Sequence, residues 1–336
     1  MKRIVTIAAA LLASIPLLAQ VQATDPYVFA FFKEPGTQGI YLALSRDGYT
    51  YTPLNDGQPW VIPQQPGEIM RDVYITREPH AQGFRMVWTW SWHGDAIGTS
   101  ESTDLITWSP QRKLPVMSAF PRVRNTWAPE TYWDPARKQW LILYSSSFVP
   151  LDAQHPQPQD GLRIWATRTR DWQTFSPPSI FLNSSFPAID ATMFHRTLHH
   201  RHDIVLVVKN QSSDPLRYDE VWTSGPSLDG PWGAISAPIN ESWSEGPSVV
   251  QIGPQSVVFY DHYRPPHAQY QAVETSDWVH WTSANAKIHL PDGAKHGSFF
   301  RVTPAEAQRL LSRHDPPATT PQPSATSATN ATKAAN

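Results

Sequence analysis

One short unit restricts what this chain can fold into more than any other feature, because it returns five times. It reads "LSRDGYTYTP", "ESTDLITWSP", "TRTRDWQTFSP", "GPSLDGPWG" and "ETSDWVHWTS". Each copy is a strand end, an aspartate, a tight turn, and an aromatic residue opening the next strand. The aspartates are Asp47, Asp104, Asp171, Asp229 and Asp277, separated by 57, 67, 58 and 48 residues. An Asp side chain that accepts backbone N–H groups holds such a turn. The spacing is that of a four-stranded propeller blade with loops of variable length.

Between the turns run short stretches rich in β-branched and aromatic residues: "YVFAFF", "GIYLALS", "FRMVWTWS", "QWLILYSSS", "LRIWATRT", "DIVLVVKN", "SVVFYDHY" and "YQAVETS". They predict an all-β fold. One segment, "TPAEAQRLLSR", predicts a helix, with Thr303 and Glu306 placed to form a capping box. Five turns predict a five-bladed β-propeller. Inner strands for four blades are found in "RDVYITR", "WAPETYW", "IDATMFH" and "EGPSVVQI". The first turn has none, while "KHGSFFRVT" follows the last turn without a blade of its own. Pairing the two predicts a ring closed by a C-terminal strand joining the N-terminal blade, which removes an open edge.

The ends of the chain read differently. Residues 1–23 have a basic pair, an apolar run and a Val-Gln-Ala site, the pattern of a secretory signal peptide, so export to the periplasm or the extracellular space is expected. Residues 314–336 are Pro, Thr, Ser and Ala with almost no large apolar side chain, a composition that predicts a disordered tail. The catalytic domain is expected over 24–313. Cysteine is absent, so the core has no disulfide to rely on. With 27 basic residues against 29 acidic ones and no basic run, nothing points to nucleic acid. No stretch beyond the leader could span a bilayer. Oligomeric state is not legible. The fifteen tryptophans suit blade-to-blade packing and also stacking on sugars.

Each expected inner strand carries a polar residue near its start: Asp72, Glu130, Asp190, Glu245 and His296. Inner strands of a propeller line its axis, so four carboxyls and an imidazole would share one small space. A scaffold gains nothing from that repulsion and desolvation. Carboxyls forced together titrate apart, one ionised while another keeps its proton. Such a pair suits glycoside hydrolysis, one acid protonating the leaving oxygen while a carboxylate opposite activates water. The same atoms could hold a calcium ion with water completing its shell near His296. No compact ligand motif supports a protein-held metal, and no other cofactor is expected.

The ordered set Arg71-Asp72, "TWAPE", "IDATMF", "SEGPSVV" and "KHGSFFRVT" resembles glycoside hydrolase family 43. The resemblance spans nearly the whole of 24–313 and implies a five-bladed propeller acting on arabinose- or xylose-containing plant polysaccharides with inversion. It implies Asp72 as general base, Asp190 as the carboxyl that tunes the acid and orients substrate, and Glu245 as general acid. It makes His296 a central histidine that orders water or an ion, and Glu130 a carboxyl for substrate binding or support of the site. Where the family usually has Asp-Pro, this chain has Asp72-Val73, a change of loop rigidity more than of chemistry. Arg71 beside the base and Trp127 as an aromatic wall complete the expected binding residues. Trp92, His93, His262 and Arg264 stand as sugar contacts against the plainer reading that they are packed or solvated.

Three other functions fit parts of the pattern. Ser-x-Asp turns resemble the Asp boxes of sialidases, which are six-bladed and retaining. Fructan-cleaving propellers also carry an Arg-Asp motif and a later Glu, but their first-blade nucleophile would have to be Asp25. A sugar-binding propeller without catalysis would leave three acidic strand starts without a use. The long insertion Ser147–Arg163 is the expected wall of the substrate groove.

Overall fold

The computed structural model describes residues 22, 24–65, 68–79, 83–152, 161–266 and 268–313. The expected tail, the leader apart from Gln22, and residues 153–160 of the long insertion lie outside these residues.

The strands form five small antiparallel sheets. Blade one contains Tyr27–Phe32, Ile40–Ser45 and Thr52–Pro53, with Lys295–Arg301 as its innermost strand. Tyr27 pairs with Arg301 and Phe32 with Lys295, so the last strand of the chain closes the ring against the first. Blade two runs from the inner strand Arg71–Arg77 through Phe84–Thr89 and Ile97–Ser102 to Arg112–Leu114. Blade three comprises Val123–Asp134, Gln139–Phe148, Arg163–Thr169 and Ser179–Leu182. In blade five the order is Ser244–Ile252, Gln255–His262, Gln269–Thr275 and Thr282–Ser283. The helix Pro304–Ser312 follows, and its capping box between Thr303 and Glu306 is formed as expected.

Blade four differs from the four-stranded expectation. Ala188–Leu198, Arg201–Asn210 and Asp219–Gly225 make three strands only. Where the outer strand should lie, Pro226, Pro231 and Pro238 remove backbone donors. The segment still follows the sheet edge through three bonds: Gly233 N to Ser224 O, Ser236 N to Trp222 O and Ile239 N to Glu220 O.

The Asp turns share one mechanism at four of five sites. Asp104 Oδ1 accepts from Ile106 N and Thr107 N, both at 2.8 Å, and from Ser102 Oγ at 3.0 Å. Asp47, Asp171 and Asp277 repeat this with their own neighbours. Asp229 departs, because the residue two positions on is Pro231, which has no N–H to offer. Its carboxylate pairs instead with Arg137 and Arg168 of blade three.

Five apolar clusters fill the spaces between blades, one per joint. Phe29, Phe259 and Phe299 show the principle at the joint of blades one and five. Phe299, on the closing strand, stacks at 4.1 Å on Phe29 and 4.0 Å on Phe259. Trp88 and Met70 occupy the joint of blades one and two, and Trp140, Trp165 and Trp172 that of two and three. Most tryptophans are therefore packing residues.

Around the axis, inner-strand amides lack a strand partner on one side and find hydroxyls or a carboxylate on the preceding blade. Ile75 N donates to Ser298 Oγ, Ala128 N to Thr89 Oγ1, Asp190 N to Ser145 Oγ, and Gly246 N to Asp190 Oδ2. The circle closes with Phe299 N to Ser248 Oγ and Gly297 N to Tyr270 Oη. Gly297 makes this closure sterically feasible, since a Cβ there would stand 2.0 Å from Ala30 O. Gly297→Ala is expected to destabilise the protein by about 1–3 kcal/mol, the cost of overpacking a closed interior. Chemical denaturation checks this, and an unchanged midpoint would refute the account of closure.

Candidate active site

The expected site residues lie where the inner strands break their regular pairing. Register shifts fall between Arg71 and Tyr74, Trp127 and Glu130, Ile189 and Thr192, and Glu245 and Ser248. At each break one residue is left-handed: Asp72 (φ 52°), Ala128 (47°), Asp190 (54°) and Gly246 (63°). A β-bulge re-aims the side chains beside it, and strained residues of this kind concentrate at functional sites.

This frame corrects the simple picture of five equivalent strand starts. Asp72 and Asp190 occupy the left-handed position itself, Glu245 the position before it, and Glu130 a position two residues beyond it. The blade-three strand starts at Val123, so Glu130 lies within the strand and is buried. Gly246 serves the site directly. A Cβ there would come within 2.4 Å of the His296 ring, so the glycine lets the imidazole lie against the backbone beside Glu245.

His296 is the hub. Its Nδ1 stands 3.4 Å from Asp72 Oδ1 and 3.8 Å from Asp190 Oδ2. Burial opposes an imidazolium, but the charges of Asp190 and Asp72 outweigh it and raise the His296 pKa to about 9. Asp72 is also buried, which favours its neutral form. The hydrogen bond and charge of His296, with Arg71 and Thr89 Oγ1 (2.6 Å), reverse this and hold it below the ordinary carboxylate range. Asp190 is pushed upward, by burial first and by repulsion from Glu245 and Asp72. The three carboxyls thus differ in environment. Asp72 is ionised and cation-paired, Asp190 is raised and accepts an amide, and Glu245 is the most open, with a side chain 31% exposed.

Glu130 is buried as well, and accepts from the Tyr132 hydroxyl. Burial lifts its pKa to about 8, so it is a neutral acid at pH 7. Among the described residues, no group of three or more His, Asp or Glu side chains is arranged to hold a metal. The His296 Nδ1 faces two carboxylates, so that nitrogen is not offered to an ion.

Arg71 is sandwiched between Phe32 (4.3 Å) and Trp92 (4.2 Å) and paired with Glu34 at 2.7 Å. The Trp127 indole donates to Trp92 O, and the two rings meet edge-on. Trp92 is 48% exposed, which leaves an aromatic wall on the Asp72 side. Arg264 stacks on Trp243 at 4.7 Å, on the Glu245 side. His262 is buried and turns to Glu241 at 3.8 Å, on the strand face opposite its neighbour Asp261.

Sequence reasoning missed several participants. Lys209 Nζ bonds Glu245 Oε2 at 3.0 Å. Asp261, cross-strand to Glu245, pairs with Lys295 at 3.1 Å. Thr89 joins Asp72 to the Ala128 amide. Lys209 alone left a signal, a charged residue closing the apolar run "DIVLVVKN". Asp25 answers another question. It precedes Tyr27, at the Arg301 end of the closing strand pair, whereas the carboxyls gather at the Lys295 end. It is no candidate for a first-blade nucleophile.

A five-bladed propeller with carboxyls from separate blades gathered at its axis is an arrangement that glycoside hydrolysis can use. The chain belongs to the family-43-related glycosyl hydrolases: residues 22–308 match the family model described as "Probable glycosyl hydrolase domain". It is 22% identical over 169 residues to an α-L-arabinofuranosidase of Bifidobacterium longum subsp. longum. That match covers 44% of this chain and 16% of the relative, so the chain spans only a small part of that protein's length. The fold is similar to xylan β-1,4-xylosidase from Bacillus halodurans C-125, with TM-score 0.52 and 14% identity, covering 80% of this chain and 54% of the other. It is also similar to an endo-arabinase from Bacteroides thetaiotaomicron, with TM-score 0.50 and 11% identity, covering 66% and 82%.

The raised groups set a pH dependence of stability. Glu130 (about 8) and His296 (about 9) bind protons more tightly folded than unfolded. Each therefore adds stability that is complete below its unfolded pKa, about 4.3 for Glu and 6.5 for His, and is lost as pH rises through the folded value. The thermal midpoint is expected to fall between about pH 4.5 and 9, and Glu130→Gln to flatten the part of that fall below about pH 8. A variant profile parallel to the wild type would overturn the assignment of a buried neutral Glu130.

Proposed function

We propose that residues 24–313 form an exported, inverting glycosidase acting on arabinofuranosyl or xylosyl linkages of plant-type polysaccharides or their oligosaccharides. The observation that carries this reading is the convergence of Asp72, Asp190 and Glu245 from three blades about His296, with different surroundings for each carboxyl. Asp72, kept ionised, takes a proton from water as the water attacks the anomeric carbon. Glu245, the most accessible carboxyl, gives its proton to the leaving oxygen. Asp190, fixed by the Gly246 amide next to Glu245, orients the acid and the sugar. The arabinofuranosidase likeness and the two structural neighbours, which carry arabinan- and xylan-directed names, motivate the choice of sugars. Trp92 and Trp127 supply the wall on which a sugar face rests. Export rests on the sequence of residues 1–23, and activity confined to the cytoplasm of the producing cell would refute it.

Glu245→Gln and Asp72→Asn are each expected to lower turnover by about 10²- to 10⁴-fold, with a drop in thermal midpoint because buried Lys209 and His296 each lose a counter-charge. The assay is a panel of aryl arabinofuranosides, xylosides and galactosides with matching oligosaccharides. Full activity in either variant removes that residue from its role. The first-formed product anomer, read by NMR, is expected to be inverted; retention returns the fructan-type reading, and glycan binding without turnover returns the non-catalytic one.

A further inference from the structure

Lys209 is the penultimate residue of the middle strand of blade four and reaches into blade five, where its side chain is only 1% exposed. Removing an ammonium from water is expensive unless it is paired. Its Nζ donates to Glu245 Oε2 at 3.0 Å and to Tyr263 Oη at 3.2 Å. It also lies 4.7 Å from the Tyr263 ring centre and 5.5 Å from that of Tyr218. Glu220 faces Lys209 across the strand pair. That carboxyl is bonded to Asn240 and raised to about 8 by burial, so at neutral pH it is not the counter-charge. Burial works against the ammonium, and Glu245, then Asp190, more than offset it. Packing alone gives no reason for the charge. An apolar side chain of similar length would fill the space between the two tyrosines without desolvating an ion.

We propose that Lys209 is a positioning residue for proton delivery: its ammonium holds the Glu245 carboxyl toward the axis and stabilises the carboxylate left when the proton departs. The inference rests on the reading of Glu245 as the acid. In that step the Glu245 O–H bond breaks as an O–H bond forms on the glycosidic oxygen. The C–O bonding pair passes to the leaving oxygen, and water, losing its proton to Asp72, adds to the anomeric carbon. Negative charge grows on Glu245 during the step, beside a cation that is already in place and needs no reorganisation. Repulsion from Asp190 and Asp261, both of which sense Glu245, works in the opposite direction. The cations His296 and Lys295 are engaged by Asp72, Asp190 and Asp261.

The distinguishing property is dependence on the leaving group, since a poor one needs the proton and an activated one barely does. Lys209→Met is expected to lower kcat on an unsubstituted oligosaccharide on the order of 10- to 100-fold, the loss typical of a charged hydrogen bond. KM should change little, and the loss on the 2,4-dinitrophenyl glycoside of the same sugar should be at least about fivefold smaller. Tyr263→Phe removes a second anchor of the ammonium without touching its charge. It should show the same pattern with smaller amplitude, and it keeps the test open if Lys209→Met does not fold. Equal losses on both substrates, or none on either, overturn the proposal. Glu245→Gln run alongside separates the two ideas: if that variant shows no leaving-group dependence, the acid assignment fails before Lys209 is judged.

Discussion

The inner strand of each blade is a sheet edge turned toward the axis, and its unpaired amides are the constraint on which the structure depends. A buried N–H without an acceptor costs about 1–3 kcal/mol, and five blades repeat the problem. The solution is circular and has one direction. Blade two donates to blade one, three to two, four to three, five to four, and one back to five. Hydroxyls of Ser298, Thr89, Ser145, Ser248 and Tyr270 serve as acceptors, and in one place the acceptor is a carboxylate. That carboxylate is Asp190. The chemistry of the centre therefore grows out of the bonds that close the ring. Thr89 accepts from Ala128 and donates to Asp72, while Asp190 accepts from the residue that follows Glu245.

The electrostatics follow from the same geometry. An imidazolium placed between two carboxylates stabilises both, and it leaves Glu245 with a different cation, Lys209, on the outer side. The acidic centre is thus a set of separate couples. Asp72 is paired with His296, Glu245 with Lys209, and Asp261 with Lys295. Glu130 and Glu220 lie in drier surroundings and keep their protons. Ionised and neutral carboxyls therefore stand within the same few residues.

Much of this was legible in the sequence, for identifiable reasons. The Asp turns are local, since the amides that satisfy Asp104 lie two and three residues away, so spacing alone revealed the blades. The closing strand was legible because an inner strand was missing at one end and surplus at the other. Blade four departs from the sequence pattern because its prolines disrupt long-range pairing while leaving the turn motif intact, and Asp229 keeps the motif while bonding elsewhere. Glu130 was placed at a strand start because nothing local marks Ala128 as left-handed. Lys209, Asp261 and Tyr263 could not be assigned, because their roles come from which blade stands next to which.

The position of His296 has a consequence for the order of events in synthesis. The hub of the acidic centre lies on the closing strand, and that strand reaches its place only by pairing with Tyr27–Phe32 from the other end of the domain. Until then Asp72 and Asp190 face each other without the cation between them, and the first blade lacks its inner strand. A partly made chain can therefore hold four blades' worth of strands and still lack the imidazole around which the carboxyls gather. The acidic cluster about His296 is complete only once the last strand is paired.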